Sequence, residues 1–438
     1  MKTFFSILCL VFTLSSYSQL KKWTLEEAVT YAVENNLSVK NIELELEMAD
    51  IQKKEAIGNM LPTLNGTASF SSNTGSNINP VTNSFENTTF LSFTTGVQSG
   101  LNLFNGLQAM RQLQRAKLQQ VAAQYNLDKM KDDIALNVVN AYLQVLYSKE
   151  NLKNVEAQRQ ITLEQLERTN ALVDAGMIPR GDLLEIKATL AGDDQRMIAA
   201  QNQIKISLLN LAQLLTVADY ENFDIAESDY EIPLTTITEQ PVDAIVQKAK
   251  ENRPEMKIAT QNIDLSEKDL QIAKGAYFPR LTAFAGYDTR WTDNDFFNRD
   301  FVHQLYENDG NYYGIQLQVP IFNGLAARNN VKRAKINVER ATMQKEQAEL
   351  DLEANVYLAY TDVMGVYASY QAAVKTEEAL SQAYQFSQER FNEGFISSFD
   401  VSQSKVRLEN AQSETLRTKY DYIFKLKLLE LYFGIPLY

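Results

Sequence analysis

The chain of 438 residues has one cysteine, one histidine, two tryptophans and nine prolines. Cys9 lies in an N-terminal stretch that reads as a cleaved export signal, residues 1–18. Lys2 supplies the positive start, residues 4–14 the apolar run, and Ser16-Tyr17-Ser18 the small-x-small cleavage site. The exported chain then has no cysteine, which excludes disulfides, thiolate catalysis and cysteine-ligated metals. Leu8 ahead of Cys9 is too bulky for a lipoprotein cleavage site, so no N-terminal lipid anchor is expected. His303 alone excludes a histidine-based zinc site and a Ser-His-acid triad within one chain. After the signal no apolar run approaches the ~18 residues of a spanning helix. Cations are also short: 42 Lys and Arg face 55 Asp and Glu, a net charge of −13 that becomes −14 once Lys2 is removed. So acidic a chain has no bulk attraction for nucleic acid or an anionic lipid surface.

What the chain does have is written twice. Leu103-Phe104-Asn105-Gly106 recurs as Ile321-Phe322-Asn323-Gly324, a shift of 218 that also takes Arg115-Ala116-Lys117 to Arg333-Ala334-Lys335. The same shift maps Ala141-Tyr142 onto Ala359-Tyr360, Gly176 onto Gly394 and Asp182 onto Asp400; upstream, a shift of 217 maps Pro62 onto Pro279. A nearly constant offset across most of the chain marks a tandem duplication. The repeats are residues 19–217 and 241–438, joined by an acidic linker at 218–240. Units this long are sectors of one symmetric object rather than solenoid repeats.

Each repeat opens with helices. Thr24-x-x-Glu27 has the spacing of a capping box, and Pro62 and Pro279 stop the second helix of each half. Alternation with period two follows. Val97, Ser99, Leu101 and Leu103 alternate with Gln98, Gly100 and Asn102; Tyr313, Ile315, Leu317 and Val319 alternate with Gly314, Gln316 and Gln318. Strands are predicted at about 62–71, 90–103, 279–288 and 312–321, each near the ~10 residues that cross a bilayer at a tilt. The polar stretches 71–89 and 288–311 read as loops in water, flanked by aromatics suited to a membrane interface. His303 falls in the second of these and reads as a surface residue.

Beyond Gly106 and Gly324 the period changes to that of a helix. Leu352, Val356, Ala359 and Val363 step by three and four residues, as a packing seam does. With no proline from 107 to 178, the first long helix would extend about 100 Å. Each long helix meets a turn at Gly176 or Gly394 and returns, giving hairpins over 106–216 and 324–433. Four strands cannot close a barrel in lipid, where the smallest single-chain barrels have about eight. A membrane barrel must then be shared among copies. The competing reading is a periplasmic coiled-coil scaffold or adaptor with no spanning barrel. An exported hydrolase using paired carboxylates has no motif behind it.

In order and spacing these motifs resemble the TolC-like outer-membrane efflux family. They are Thr24-Leu25-Glu26-Glu27-Ala28, Ala32-Val33-Glu34-Asn35-Asn36, Glu251-Asn252-Arg253-Pro254-Glu255, Leu61-Pro62, Phe278-Pro279, the Phe-Asn-Gly pairs and the glycine turns. The resemblance implies a mainly α protein with a membrane β-barrel. Its long antiparallel hairpins would form a periplasmic α-barrel, and four strands per chain would contribute to a shared 12-stranded barrel of a homotrimer. The implied function is an exit duct in the outer membrane of a Gram-negative bacterium, in contact with its lipid. The implied partners are a periplasmic adaptor (membrane fusion) protein and an inner-membrane pump; no enzyme activity, cofactor, metal or nucleic acid is implied. Cargo would be set by the pump.

The resemblance also assigns sites. A periplasmic gate would be built from Asp400, Asp182, Glu185 and Gln403, with copies of Asp400 narrowing the tunnel as an anionic ring. Asp182 with Glu185, and Asp400 with Gln403, equally have the spacing of capping boxes for the return helices. Adaptor contacts would lie at the tips Gly176, Met177, Ile178 and Gly394, Phe395, Ile396, since exposed apolar residues at a turn point to a partner. The tyrosine and arginine links that close the tip in the family fall on Phe391 and Ile396 here, leaving Arg180 and Arg390 as the nearby cations.

Overall fold

Thr24 caps helix α1 (Leu25–Asn35). Its hydroxyl accepts from the Glu27 amide at 3.3 Å, and the Glu27 carboxylate accepts from the Thr24 amide at 3.1 Å. This is the capping box that the spacing predicts. The computed structural model describes residues 22–78, 83–226, 237–295 and 297–437. The export signal and part of the acidic linker therefore lie outside the described residues.

The first half continues with α2 (Leu37–Gly58), β2 (Thr63–Ile78), β3 (Phe85–Asn105), α3 (Gln108–Asp174) and α4 (Arg180–Leu214). The second contains α5 (Val242–Asn252), α6 (Pro254–Gly275), β5 (Arg280–Thr292), α7 (Phe301–Glu307), β6 (Gly310–Gln318), α8 (Ala326–Asn392) and α9 (Ser398–Phe433). Helices of 11, 22 and 67 residues occur once in each half, so the duplicated spacing is a duplication of elements. Both long helices are entered through consecutive left-handed residues, Gly106 and Leu107 at φ 67° and 63°, Gly324 and Leu325 at φ 62° and 66°. A left-handed leucine costs about 1–2 kcal/mol, and both leucines stand about half exposed.

The chain divides into two compact units. One takes its described residues from 1–41, 129–253 and 352–438, the other from 42–128 and 254–351. In the first, Tyr142, Leu211, Leu215, Ile245, Ile423, Leu426 and Leu429 are fully buried, as are Val356 and Val363 of the seam read from the sequence. A short parallel pair, β1 (Lys22–Trp23) with β4 (Asp224–Ile225), is pinned there. The Tyr142 hydroxyl lies 3.2 Å from the Trp23 carbonyl and 3.3 Å from that of Ala226.

The second unit holds an antiparallel sheet in the order β2-β3-β5-β6. Its strands depart from the sequence reading in three places. β2 and β3 run through most of 71–89, which was expected to be a loop. Side-chain ladders hold that polar extension: Ser71 Oγ lies 2.8 Å from Ser92 Oγ, and Thr74 Oγ1 2.9 Å from Thr89 Oγ1. Second, a bulge between Asn102 and Phe104 drops Leu103 out of the ladder with β5, so Phe104 rather than Leu103 stands opposite Leu281. Third, β6 ends at Gln318, short of Val319, and the stretch expected as a loop after β5 folds in part into α7.

Candidate functional site

Register sorts the sheet into two faces, because residues paired across strands share a face. One face, mostly apolar, stacks Leu64, Ser99, Ala285 and Tyr313; next to it Gly66, Val97, Tyr287 and Asn311, then Ala68, Thr95 and Thr289; and in the other direction Leu101, Ala283 and Ile315. It ends at Phe104, Leu281 and Leu317 in one direction and at Phe70, Phe93 and Trp291 in the other. The opposite face carries Asn65, Gln98 and Gly286, then Thr63, Gly100, Phe284 and Gly314, then Asn102, Thr282 and Gln316. On that polar face the glycines make room for rings. A Cβ on Gly286 would stand 2.4 Å from the Tyr312 ring, and one on Gly314 would stand 2.7 Å from that of Phe284. A sheet apolar on one side and polar on the other has the pattern of a boundary between lipid and water.

The hairpin tips belong to the other unit. Gly176 and Gly394 adopt φ of 70° and 80°, which closes α3 and α8 and turns the chain back. Met177 and Phe395 beyond them are exposed, with Ile178 and Ile396 partly covered. Neither aspartate begins its return helix as the capping-box reading expects. The N-cap of α9 is Ser397, whose hydroxyl accepts from the Asp400 amide at 3.3 Å. Asp400 is the third residue of that box; its carboxylate accepts from the Ser397 amide at 3.1 Å and from the hydroxyl at 2.8 Å. These bonds, with Arg390 nearby, hold the Asp400 carboxyl below its ordinary value, so it is ionised at neutral pH. α4 starts at Pro179 with no side-chain cap, and Asp182 instead accepts from the Ser398 hydroxyl at 2.8 Å. Asp182 thus ties the two tips together. Glu185 is partly covered and Gln403 exposed, and neither caps a helix.

Above the tips the hairpins are joined by groups that sequence reading did not single out. Lys405 and Asp193 are each 1% exposed. The Lys405 ammonium donates to Asp193 at 2.6 Å and lies 3.3 Å from Glu409. Thr162 donates to the same Asp193 oxygen at 2.6 Å and also meets Lys405, while Arg196 pairs with Asp193 and reaches Glu409 at 3.2 Å. Burial pushes the Asp193 carboxyl up, but bonds from Lys405, Thr162 and Arg196 outweigh it and hold the group below its ordinary value. Phe391 and Ile396, where polar links would close a TolC-like tip, pack instead on the buried cluster Tyr384, Val401 and Leu408. In this chain apolar contact and a buried ion cluster stand beside the tips instead.

The outer membrane efflux protein family matches this chain twice, over residues 29–217 and 245–434. The chain belongs to that family, which is one of membrane channels. It is similar to TolC of Vibrio cholerae, 23% identical over 313 residues, 71% of this chain and 69% of that one. TolC of Escherichia coli is 22% identical over 66% of this chain and 59% of its own length. The alkaline protease secretion protein AprF of Pseudomonas aeruginosa is 22% identical over 69% and 62%. Among solved structures the CmeC outer membrane channel of Campylobacter jejuni superposes with a TM-score of 0.79 at 18% identity, covering 94% of this chain and 85% of its own. VceC of Vibrio cholerae gives 0.77 at 16%, covering 94% and 96%. The protein is therefore an outer-membrane duct with a helical extension in the periplasm. The scaffold reading without a barrel falls with that placement.

Proposed function

We propose that three copies of this chain close one barrel of twelve strands and continue it with their hairpins as a periplasmic tunnel. Through it, cargo from an inner-membrane pump and its periplasmic adaptor, in efflux or type I secretion, leaves passively. The observation that carries this is the open four-stranded sheet with one apolar face. Among the described residues β2 and β6 are the edge strands of the sheet, and in hydrocarbon an unsatisfied backbone group costs several kcal/mol. Joining β6 of one copy to β2 of the next satisfies both edges. A second observation supports assembly. α8 carries exposed Ile336, Met343, Leu350, Tyr357 and Met364, spaced by seven residues. A strict seven-residue stripe fits a neighbouring helix in a left-handed coil.

Single-particle electron microscopy of the detergent-extracted protein tests the reading. A three-fold cylinder well over ~100 Å long, the span of one 67-residue helix, with detergent at one end is expected. A particle without a detergent belt would sink it. At the tips, exposed Met177 and Phe395, with Gly176, Ile178, Gly394 and Ile396 shaping the turns, are the proposed adaptor contacts. Copies of ionised Asp400 form the proposed anionic gate. Asp400→Asn keeps an acceptor for Ser397 and removes the charge. It should raise single-channel conductance and weaken block by divalent cations; unchanged values would leave Asp400 as a helix cap alone.

A further inference from the structure

The connection from β5 to β6 lies at the end of the sheet away from the helices that precede β5 and follow β6. It is not a slack loop. Arg299 donates to both oxygens of Asp295, at 3.0 and 2.6 Å, and pairs with Glu307; these bonds hold the Asp295 carboxyl down to about 2. Buried Gln304 accepts from the Thr292 amide at 2.9 Å and donates to the carbonyls of Thr292 and Arg299 at 3.0 and 2.9 Å.

The helical step gives α7 three faces. Phe301, Gln304 and Leu305 turn to the sheet. The Phe301 ring lies 5.6 Å from both Phe93 and Trp291, paired neighbours on the apolar face. Thr289, a hydroxyl on that same face, donates to the Leu305 carbonyl at 2.7 Å, so α7 covers a polar group that would otherwise meet lipid. His303 and Glu307, 3.0 Å apart, make a polar exposed face. The third face is Val302 and Tyr306, 57% and 80% exposed.

Height decides what covers that third face. Along β5 the apolar face runs from Leu281 to Trp291, which at ~3.3 Å per residue and a tilt of about 40° is roughly 25 Å, the height of a barrel's apolar band. The Trp291 row is therefore the outer rim of the band, and α7 stands against it. We propose that α7 is an interfacial anchor, with Val302 and Tyr306 set in outer-leaflet lipid at the boundary of headgroups and acyl chains, and His303 and Glu307 in water. This rests on the barrel reading, because lipid must meet the apolar face first. Lipid is the occupant because the Val302–Tyr306 face adjoins a lipid-facing row, and the charged groups of α7 itself, His303 and Glu307, stand on its other side.

The test places a single indole at each face of α7 in the full chain, reconstituted in phosphatidylcholine bilayers. With W23F and W291F as background, Y306W should emit blue-shifted. It should lose emission to lipid brominated near the glycerol end of the acyl chain and be spared by aqueous iodide. H303W should behave in the opposite way, and V302W stands in if Y306W does not fold. Quenching of Y306W and V302W by iodide alone would place them in water and overturn the anchor. Shielding from both quenchers would give the face to a protein neighbour and overturn it equally. W23F alone reports Trp291: if brominated lipid leaves that indole untouched, the barrel reading fails together with the anchor.

Discussion

At the first hairpin tip the Gly176 amide reaches the Val173 carbonyl at 3.0 Å and the Met177 amide reaches that of Leu172 at 2.9 Å. At the second, Gly394 reaches Phe391 at 2.9 Å and Phe395 reaches Arg390 at 2.8 Å, the same pair of bonds one repeat later. The frames match, but the polar groups set on them do not. Ser397 and Asp400 close the second return helix on itself, whereas Asp182 leaves its own helix uncapped and crosses to Ser398. One repeat on from Lys187, which is exposed, stands Lys405, which is buried against Asp193. Backbone geometry repeats because the turn demands it. Side chains diverge because the two hairpins face each other and cannot make the same contact twice.

The lysine pair breaks this comparison most sharply. Lys405→Met leaves Asp193 buried without its main cation, and losing one partner of a buried pair costs about 3–5 kcal/mol. Lys187→Met, at the equivalent place in the first half, should stay within about 0.5 kcal/mol of the parent. Thermal unfolding followed by circular dichroism checks both. Equal effects would mean that the Lys405 cluster adds nothing beyond a surface charge.

Acid should narrow the gap between Lys405→Met and the parent. Asp193 has a folded pKa below its unfolded value. Its contribution is therefore fully present above the ordinary carboxylate value of ~3.9 and is lost as pH falls through the lowered one. Unfolding midpoints of parent and variant should converge below about pH 4, while those of Lys187→Met track the parent throughout. Convergence above pH 6 would assign the effect to another group.

The architecture was legible in the sequence for a physical reason: a period of two, a period near 3.6 and glycine after a helix are local signals, and duplication showed each of them twice. What was missed depends on distance or on degeneracy. Residues 71–78 pair with 85–92 as strands although largely polar, because serine and threonine ladders reach across the hairpin. The bulge at Leu103 shows only in the register against β5. Ser397-x-x-Asp400 and Asp400-x-x-Gln403 both fit a capping box, and the turn geometry after Gly394 selects the first. Lys405 looks like any solvated lysine because its partners Asp193 and Thr162 lie 212 and 243 residues away. The seven-residue stripe on α8 was readable, yet the buried seam with steps of three and four masked it.

The smallest effects distinguish the two tips directly. Ser397→Ala removes the N-cap of α9 and should cost about 1 kcal/mol, confined to its first turn. Asp182→Ala removes no cap, since α4 starts at Pro179 without one, and should cost about 0.5–1 kcal/mol through the lost bond from Ser398. Hydrogen exchange at the tips separates the two. Ser397→Ala should speed exchange of the amides at the start of α9, the Asp400 amide first, and leave α4 unchanged. Asp182→Ala should spare the α9 cap, because the Ser397–Asp400 box does not involve Ser398 Oγ, and loosen both tips slightly through the lost cross-link. If Asp182→Ala frayed α4 alone, its carboxylate would be acting on its own helix after all, and the two tips would differ in sequence but not in design.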